Sequence, residues 1–294
     1  MLGGLNMDLV VRVEQLPRPG ETVTGEDLLR AAGGKGGNQA VALARLGAEV
    51  SMVGRVGHDA FGRELARLLR DAGVSTRWVQ GTDRPTGTAL ILVDSTGENS
   101  IAVAPGANQE LLPEDVPRRA IEAADVLVAQ LEVPVASVEE AFRLARLAAV
   151  RTVLNVAPAR PLPGALLDLT DVLICNEVEL STLLDRPVPA GSEATAAREV
   201  RRSANQVVAV TLGSRGALAI DRNEVVAQSA FAVQVVDSTG AGDAFVAGFV
   251  AGYRDGVQAA LRLGGAAGSL ACTRPGAQPS MPTLAEVQSL LNQR

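Results

Sequence analysis

The strongest chemical signal in the sequence is a glycine-rich segment that ends in a carboxylate. Residues 237–243 (DSTGAGD) follow a strand-like apolar run, 231–236, and open an apolar helical segment. Glycines allow the backbone to turn sharply and to approach a ligand closely, and the free N–H groups at a helix start attract an anion. A phosphate bound there would lie beside Asp243, which could accept a hydroxyl proton. A second interpretation of equal weight is that Asp243 only caps the helix.

Two widespread nucleotide-binding motifs can be excluded. A dinucleotide fingerprint, GxGxxG, beginning at Gly240 would need glycine at position 245, where Phe245 stands. The P-loop sequence GxxxxGK[ST] does not occur in the chain. His58 is the sole histidine, so neither a histidine dyad nor a histidine-rich metal site is expected.

A second glycine-rich segment surrounds a lysine and an asparagine. Residues 33–40 (GGKGGNQA) precede an apolar stretch with helical spacing, 41–46. The small residues predict a loop whose backbone can wrap around a polyol, to which Lys35 and Asn38 can donate hydrogen bonds. A flexible loop with a helix cap at Asn38 would explain the same pattern.

Polar segments also follow two predicted strands. They comprise residues 176–179 (NEVE) and 211–216 (TLGSRG). Ligands of open α/β folds bind at the carboxyl ends of parallel strands. Asn176 and Glu179 stand at such a position, where Glu179 could hold magnesium through water, and the 211–216 turn could cradle the phosphate or ribose of a nucleotide. A solvated helix start and an ordinary turn are the alternatives. The segment 276–280 (GAQPS) has no chemistry that identifies a role.

Strands that alternate with helices must position these segments. Apolar runs predict strands at 49–53, 125–130, 152–156, 171–174 and 207–211, and helical spacing predicts helices at 60–72, 137–149, 241–254 and 257–272. Near-continuous apolar strands between amphipathic helices are typical of a mostly parallel sheet that is covered on both faces. The predicted fold class is therefore α/β.

Two segments, about 9–31 and 87–104, interrupt this alternation. The first is broken by prolines and a glycine, and the second has the pattern of a hairpin with its turn at 94–99. Together they predict a small sheet beside the main one, either a lid over a ligand site or an ordinary β excursion. A further hairpin is predicted at 217–230. We expect one domain, residues 1–294, with an inserted β lid.

Composition narrows the classes of partner and compartment. The net charge of −6 argues against nucleic acid or an anionic membrane as a partner. The two cysteines, Cys175 and Cys272, lack disulfide or zinc spacing and are expected to be small apolar residues in a reducing compartment. No targeting segment and no apolar run of spanning length is present. We therefore expect a cytoplasmic protein.

Taken together and in this order, the motifs resemble those of the ribokinase-like sugar kinases. The resemblance covers nearly the whole chain and includes residues 19–25 (PGETVTG), 33–40, 130–132 (QLE), 157–160 (APAR), 176–179, 211–216, 237–243 and 273–280 (TRPGAQPS). It implies a three-layer α/β/α sandwich with a mostly parallel central sheet and a small β-sheet lid that pairs subunits into a homodimer.

The resemblance also implies a role for individual residues. Asp243 would be the base, beside an anion hole formed by Gly240, Ala241 and Gly242. The sugar would be bound by Asn6, Asp8, Gly34, Lys35, Gly36, Gly37, Asn38, Glu132 and Asp243. ATP and magnesium would be served by Asn176, Glu179, Gly242, Thr211, Leu212, Gly213, Ser214, Arg215 and Gly216. A monovalent cation, usually potassium, would be held by Asp237, Thr239, Ala271, Arg274, Gly276 and Ser280, mostly through backbone oxygens.

The implied reaction is transfer of the γ-phosphate of ATP to the primary 5-hydroxyl of D-ribose. Deoxyribose, a nucleoside or a ketohexose remain alternative acceptors within the family, although aromatic residues at 2% of the chain provide little for stacking a base. A non-catalytic sugar sensor is an alternative of a different class. Such a sensor would be expected to lose the base or an anion-hole glycine, and Asp243, Gly240 and Gly242 are all present.

Overall fold

Strands and helices alternate along most of the chain, as the sequence pattern predicts. The structure is a computed structural model that describes residues 1–222 and 224–293. Its strands are β1 (Asn6–Arg12), β2 (Leu29–Gly33), β3 (Ser51–Gly57), β4 (Ser75–Thr82), β5 (Gly87–Val93), β6 (Asn99–Ala104), β7 (Val126–Ala129), β8 (Arg151–Asn155), β9 (Val172–Asn176), β10 (Val207–Thr211), β11 (Ala217–Asp221) and β12 (Glu224–Gln228). Its α-helices are α1 (Lys35–Arg45), α2 (Ala60–Asp71), α3 (Arg118–Glu122), α4 (Val135–Leu147), α5 (Gly164–Asp168), α6 (Glu177–Leu183), α7 (Glu193–Val200), α8 (Ala241–Gly252), α9 (Val257–Ala271) and α10 (Leu284–Asn292).

The central sheet has the order β12-β11-β10-β9-β8-β7 on one side and the parallel pair β3-β4 on the other. Leu2 joins the two parts, because it makes parallel bridges to both Val53 and Ala129. Strands β7 to β10 are parallel, whereas β11 and β12 turn back as the predicted hairpin. The mostly parallel sheet is thus confirmed.

Helices cover both faces of this sheet and create two separate cores. One core contains apolar residues of α1, α2, α8, α9 and α10. The other contains apolar residues of α3, α4, α5, α6 and α7. Strand side chains alternate between the two cores, so both faces of β7 to β10 are buried and their sequences are mainly apolar, with the polar residues near the strand ends. The three-layer α/β/α arrangement is confirmed. Among the described residues, no helix is both long and apolar enough to cross a bilayer.

A second sheet, of order β2-β1-β5-β6, stands beside the main one. Strand β1 pairs antiparallel with β2 and parallel with β5, and β5 and β6 form the predicted hairpin. The two segments that interrupt the alternation therefore do combine into one small sheet. Because β1 follows directly after the Leu2 segment, the chain passes from the middle of the main sheet into this small sheet.

Two local predictions were wrong. The run 231–236 is not a strand, and its valines Val235 and Val236 are exposed. The 33–40 segment is not a free loop either, because α1 begins at Lys35 and Gly34, at a φ of 81°, precedes it. Any Cβ at Gly36 would lie 2.7 Å from the Gly3 carbonyl carbon. Glycine at this position therefore allows the helix to pack against the segment before β1.

Candidate active site

The Asp243 carboxylate lies in the first turn of α8 and is buried, with 7% of its surface exposed. Two neighbouring residues at the start of α1 donate to its two oxygens. Asn38 Nδ2 donates to Asp243 Oδ2 and Gln39 Nε2 donates to Asp243 Oδ1, each at 2.9 Å. These two bonds hold both oxygens of the carboxylate in a fixed orientation. The carbonyl oxygen of the Asn38 side chain is buried and has no hydrogen-bond partner among the described residues.

Further amides continue the hydrogen bonding behind Gln39. Its Nε2 also donates to Asn155 Oδ1 at 2.9 Å, and its Oε1 accepts from Gln130 Nε2 at 2.5 Å. Asn155 lies at the carboxyl end of β8, and Gln130 follows β7 directly. The base on α8 is thereby connected through α1 to two strands of the central sheet.

A second polar cluster forms where β1 begins. Asn108 Nδ2 donates to Asn6 Oδ1 at 2.7 Å and to Leu5 O at 3.1 Å, and Asn108 Oδ1 accepts from Leu5 N at 2.9 Å. With its oxygen occupied, Asn6 presents Nδ2 toward Glu132 Oε1, 3.5 Å away. Glu132 Oε2 in turn accepts from Lys35 N at 2.7 Å. Asn6, Lys35 and Glu132, predicted separately, are thus brought together.

Asp8 lies against the glycines that precede α1. A Cβ built on Gly33 would come within 2.1 Å of the Asp8 carboxylate, and one built on Gly34 would lie 2.7 Å from Asn6 N. Larger residues at these two positions would displace the groups expected to bind the sugar. The predicted residues Asn6, Asp8, Gly34, Lys35 and Asn38 therefore share one region, since β1 and the start of α1 lie side by side.

Lys35 lies among four carboxylates, and this arrangement dominates the electrostatics of the site. Burial alone would lower the Lys35 pKa, but Asp243, Glu132, Glu179 and Asp8 together raise it above its usual value. Burial raises the pKa of Glu132 to about 7 against the opposing effect of Lys35. Burial, with the Asp243 charge, raises the pKa of Asp8 to about 6. The site holds excess negative charge around a single ammonium group.

This excess predicts that the ligand-free protein loses stability as the pH rises from about 5 to about 8. A pKa of about 7 in the folded state, against the ordinary 4.5, means that the folded protein binds the Glu132 proton more tightly. The contribution is therefore complete below pH 4.5 and is lost as the pH rises through 7. Because Glu132 is partly exposed, we expect a loss of about 2 kcal/mol, measured as the free energy of unfolding.

Glu132→Gln separates this effect from general pH sensitivity. Glutamine cannot ionise and can still accept from Lys35 N, so the part of the decline that Glu132 causes should disappear, while the part due to Asp8, whose pKa is about 6, remains. The same substitution at the exposed Glu26 serves as control and should leave the decline unchanged. An unaltered decline in Glu132→Gln would contradict the assignment.

A cavity of about 130 Å³ connects the base to the carboxyl ends of the central strands. It is lined by Lys35, Asn155, Ala157, Ile174, Cys175, Asn176, Glu179, Thr211, Gly240, Gly242, Asp243 and Val246. Asn176 and Thr211 are paired neighbours at the ends of β9 and β10. Asn176, Glu179 and Thr211 therefore border the same cavity as Asp243, and Asn6 and Glu132 lie outside its lining.

Asn176 and Glu179 also have a structural role as reciprocal caps of α6. Asn176 Oδ1 accepts from Glu179 N, and Glu179 Oε2 accepts from Asn176 N, each at 2.8 Å. Burial raises the pKa of Glu179, although the Asn176 N–H and Lys35 oppose it. One carboxylate oxygen of Glu179 is thus already engaged, and Oε1 remains for a cation or a water molecule.

The 211–216 turn contains a short 3₁₀ segment rather than an open loop. Arg215 forms ion pairs of 2.6 Å with both Glu177 and Glu193. These pairs connect the turn to α6 and α7, so the predicted nucleotide contact of Arg215 would compete with them. Thr211 borders the cavity, whereas Leu212, Gly213, Ser214 and Gly216 lie beyond its lining.

The predicted anion hole surrounds the start of α8. Gly240 has a φ of 78°, a value that favours glycine, and precedes the helix. The Ala241 N–H already donates to Ser238 O at 3.1 Å. Gly242 is exposed to the cavity, and a Cβ added there would meet no atom within 4 Å. Of the three residues, Gly242 therefore has the most open approach to a ligand.

The residues implied for a monovalent cation also lie close together. Asp237 Oδ2 accepts from Gly276 N at 2.8 Å, and its Oδ1 accepts from Thr239 N and Oγ1. Burial acts to raise the Asp237 pKa, but these donors hold it below its usual value. Arg274 is ion-paired with Glu286, and the buried Ser280 donates to Ala277 O. Within 1–222 and 224–293, no group of three His, Cys, Asp or Glu side chains could hold a metal, so such a site would depend on backbone oxygens.

Comparison with known proteins gives a consistent assignment. A model described as pfkB family carbohydrate kinase matches residues 1–284. A ribokinase of Haemophilus influenzae is 38% identical over 99% of this chain and 97% of its own length. The structure of Arabidopsis thaliana ribokinase complexed with ribose and ATP has a TM-score of 0.91 at 36% identity, and the match covers 99% of this chain and 97% of that one. For a Thermotoga maritima ribokinase the TM-score is 0.90 at 30% identity, with 99% and 98% covered. These matches confirm the resemblance noted in the sequence, and the chain belongs to the pfkB family of carbohydrate kinases.

Proposed function

We propose that this protein is an ATP-dependent kinase that transfers the γ-phosphate to the primary 5-hydroxyl of D-ribose and so forms ribose 5-phosphate. The observation that carries the proposal is the position of Asp243. Its buried carboxylate and Lys35 both line the cavity at the carboxyl ends of β9 and β10. Lys35 also connects this cavity to Glu132 and Asn6, because Glu132 accepts from Lys35 N and faces Asn6 Nδ2. The ribokinases to which the chain is similar support this choice of sugar.

The chain's own residues suit a polyhydroxylated substrate. Carboxylates of Asp8 and Glu132 accept hydrogen bonds from hydroxyl groups, and Asn6 Nδ2 and Lys35 donate to them. The buried side-chain oxygen of Asn38, which has no partner, can accept from another hydroxyl. Asp243 accepts the proton of the attacking hydroxyl as that oxygen bonds to the γ-phosphorus and ADP leaves.

Negative charge on the transferred phosphoryl group must also be stabilised during the reaction. The N–H groups at the start of α8, with Gly242 the most open, stabilise that charge, and Lys35 lies on the same side of the base. Because the transition state of phosphoryl transfer is loose, positioning and electrostatics supply most of the catalysis.

Two cations would complete the site. Magnesium suits Asn176 and Glu179, because hard oxygen ligands and buried negative charge favour it, and would neutralise nucleotide phosphate charge. Potassium suits the Asp237 carboxylate, the hydroxyl of Ser280 and carbonyl oxygens of Thr239, Ala271, Arg274 and Gly276. It would add positive charge behind the start of α8.

The test is ADP release by the purified protein with ATP, magnesium and potassium, measured in parallel with ribose, deoxyribose, fructose and adenosine. Ribose-dependent release with little from the other three is the expected result. Release mainly with another acceptor would change the substrate but keep the reaction. If no acceptor supported release while ribose still raised the thermal stability, a non-catalytic sugar sensor would replace the kinase.

We further propose that the small sheet is a lid and also pairs two subunits. Three of its large apolar residues, Leu29, Ile101 and Val103, are more than half exposed and lie on the same face of the sheet. Such a group of exposed apolar side chains on one sheet is typical of an interaction surface. Together with the resemblance, this favours a homodimer.

The oligomeric state can be tested by sedimentation at micromolar concentration. The unmodified protein is expected to sediment as a dimer, and the double substitution Ile101→Asp with Val103→Asp as a monomer, since buried carboxylates at an interface are costly. Leu147→Asp, on an exposed apolar residue of α4, is the control and should leave the dimer intact. A monomeric unmodified protein would contradict the proposal.

A further inference from the structure

We propose that Gln39 is a positioning residue, which holds the Asp243 carboxylate in its reactive orientation through a directed chain of amide hydrogen bonds. Gln39 does not contact the cavity. It is fully buried and lies between the base and the central sheet. The inference rests on the proposed function, because it takes Asp243 as the base.

The orientation of these amide hydrogen bonds is set by a group that can only accept. The carbonyl oxygen of Ile174 in β9 accepts from Asn155 Nδ2 at 3.2 Å. The Asn155 amide is therefore oriented with Oδ1 toward Gln39, and this oxygen requires a donor. Gln39 Nε2 supplies it at 2.9 Å.

A second contact fixes the same orientation from the other end of the Gln39 amide. Gln130 Nε2 donates to Gln39 Oε1 at 2.5 Å. A rotation of the Gln39 amide by 180° would break this bond and the bond to Asn155 together. Gln39 must consequently present N–H, and never oxygen, to Asp243 Oδ1.

Asn38 completes the restraint on the carboxylate. It donates to Asp243 Oδ2 from the same turn of α1, so both oxygens of the base are held by consecutive residues. In a buried site each of these bonds is stronger than in water, and the loss of one leaves an unsatisfied charge. Loss of the Gln39 donor would both allow the carboxylate to rotate and favour its protonated form.

Gln39→Met keeps the size of the side chain but removes the donor. We expect kcat to fall about 10- to 100-fold, with KM for sugar and ATP changed by less than about threefold, since misplacement of the base affects chemistry rather than binding. The acid limb of the kcat–pH profile should also move to higher pH. The ratio of variant to unmodified kcat therefore falls as the pH is lowered.

Gln39→Glu should give the opposite pH dependence. At about pH 8 the added carboxylate repels Asp243, and the ratio of variant to unmodified kcat is low. Near pH 6 a proton held between the two carboxylates replaces the amide N–H, as in other close carboxylate pairs. The ratio therefore rises as the pH is lowered. This variant decides the question even if Gln39→Met does not fold.

The matched control is Gln206→Met. Gln206 is also buried, and its Nε2 donates to Leu167 O and Thr170 O far from the base. This variant should lower the melting temperature but leave kcat and its pH profile unchanged. Ratios that do not vary with pH in both Gln39 variants would show a merely structural role and overturn the inference. Absence of turnover in the unmodified protein would instead refute the proposed function, and the inference with it.

Discussion

Asp243→Asn is expected to lower kcat by about 1,000-fold or more, because general base catalysis typically contributes factors of that order. The sugar should still bind, since Asn6, Asp8, Lys35 and Glu132 are unaltered. Ribose-induced stabilisation against thermal unfolding measures binding separately from turnover. The result expected is therefore stabilisation by ribose without ADP release.

The hydrogen bonds to Asp243 predict that this substitution also affects stability. Asn38 Nδ2 and Gln39 Nε2 both donate to Asp243, so one of them would face the NH₂ group of the new asparagine. We expect a stability loss of about 1–2 kcal/mol from this unsatisfied pair. Asp255→Asn, on an exposed aspartate after α8, is the control and should be neutral in both assays. Near-normal turnover in Asp243→Asn would remove Asp243 from the role of base.

Gly242→Ala is expected to stabilise the protein and at the same time to inactivate it. Alanine is favoured over glycine inside a helix by about 0.5–1 kcal/mol, and the new methyl group would meet no protein atom within 4 Å. The methyl group would, however, project into the space that a phosphoryl group must occupy. We expect kcat to fall about 100-fold, a loss comparable to that of one oxyanion-hole donor.

Gly164→Ala provides a matched comparison for this variant. Gly164 also lies at the start of a helix, α5, and a Cβ there would make only an ordinary 3.5 Å contact with Arg202. It should give a similar small stabilisation with unchanged kcat. Thermal unfolding and steady-state turnover measure the two effects. Undiminished turnover in Gly242→Ala would place the phosphoryl group elsewhere.

The sequence predicted those strands and turns whose place in a sheet determines which of their residues are apolar and which are polar. Strand β10 coincides with its prediction at 207–211 because its buried residues, 207–210, are all apolar. The hairpin of β5 and β6 lies within 87–104, where the turn contains Asp94 and Gly97. The run 231–236 was misread because it has the same apolar composition. Its exposed valines, Val235 and Val236, show that composition without a neighbouring strand does not make a strand.

Positioning residues were harder to predict than the groups they position. Asn6, Lys35, Asn38, Glu132 and Asp243 were identified through glycine-rich segments and resemblance. By contrast, Gln39, Asn108, Gln130 and Asn155 are single amides within or beside apolar runs, and their partners lie 91 to 116 residues away in the bonds Gln130–Gln39, Asn108–Asn6 and Gln39–Asn155. Local pattern carries no information on such pairings. A buried amide near a glycine-rich motif is the signal that could have suggested Gln39.

The helix start at Lys35 was missed for a related reason. Glycines disfavour a helix on propensity alone, and Gly34, Gly36 and Gly37 surround the first residue of α1. Close packing outweighs that propensity here, because larger residues at Gly36 would collide with the Gly3–Gly4 backbone. The same packing brings Asn38 and Gln39 to Asp243.

The attachment of Asn108 to the chain before β1 divides the sugar-binding groups into two sets. Asn108 holds the amide and carbonyl of Leu5 as well as the Asn6 side chain, so the hinge of the proposed lid would lie beyond Asn6. Asn6, Lys35 and Glu132 then form a preassembled half of the pocket that belongs to the rigid body. Asp8, on β1, would move with the proposed lid. In that closure the sugar would first bind to the fixed contacts, and Asp8 would reach it only when the small sheet closes.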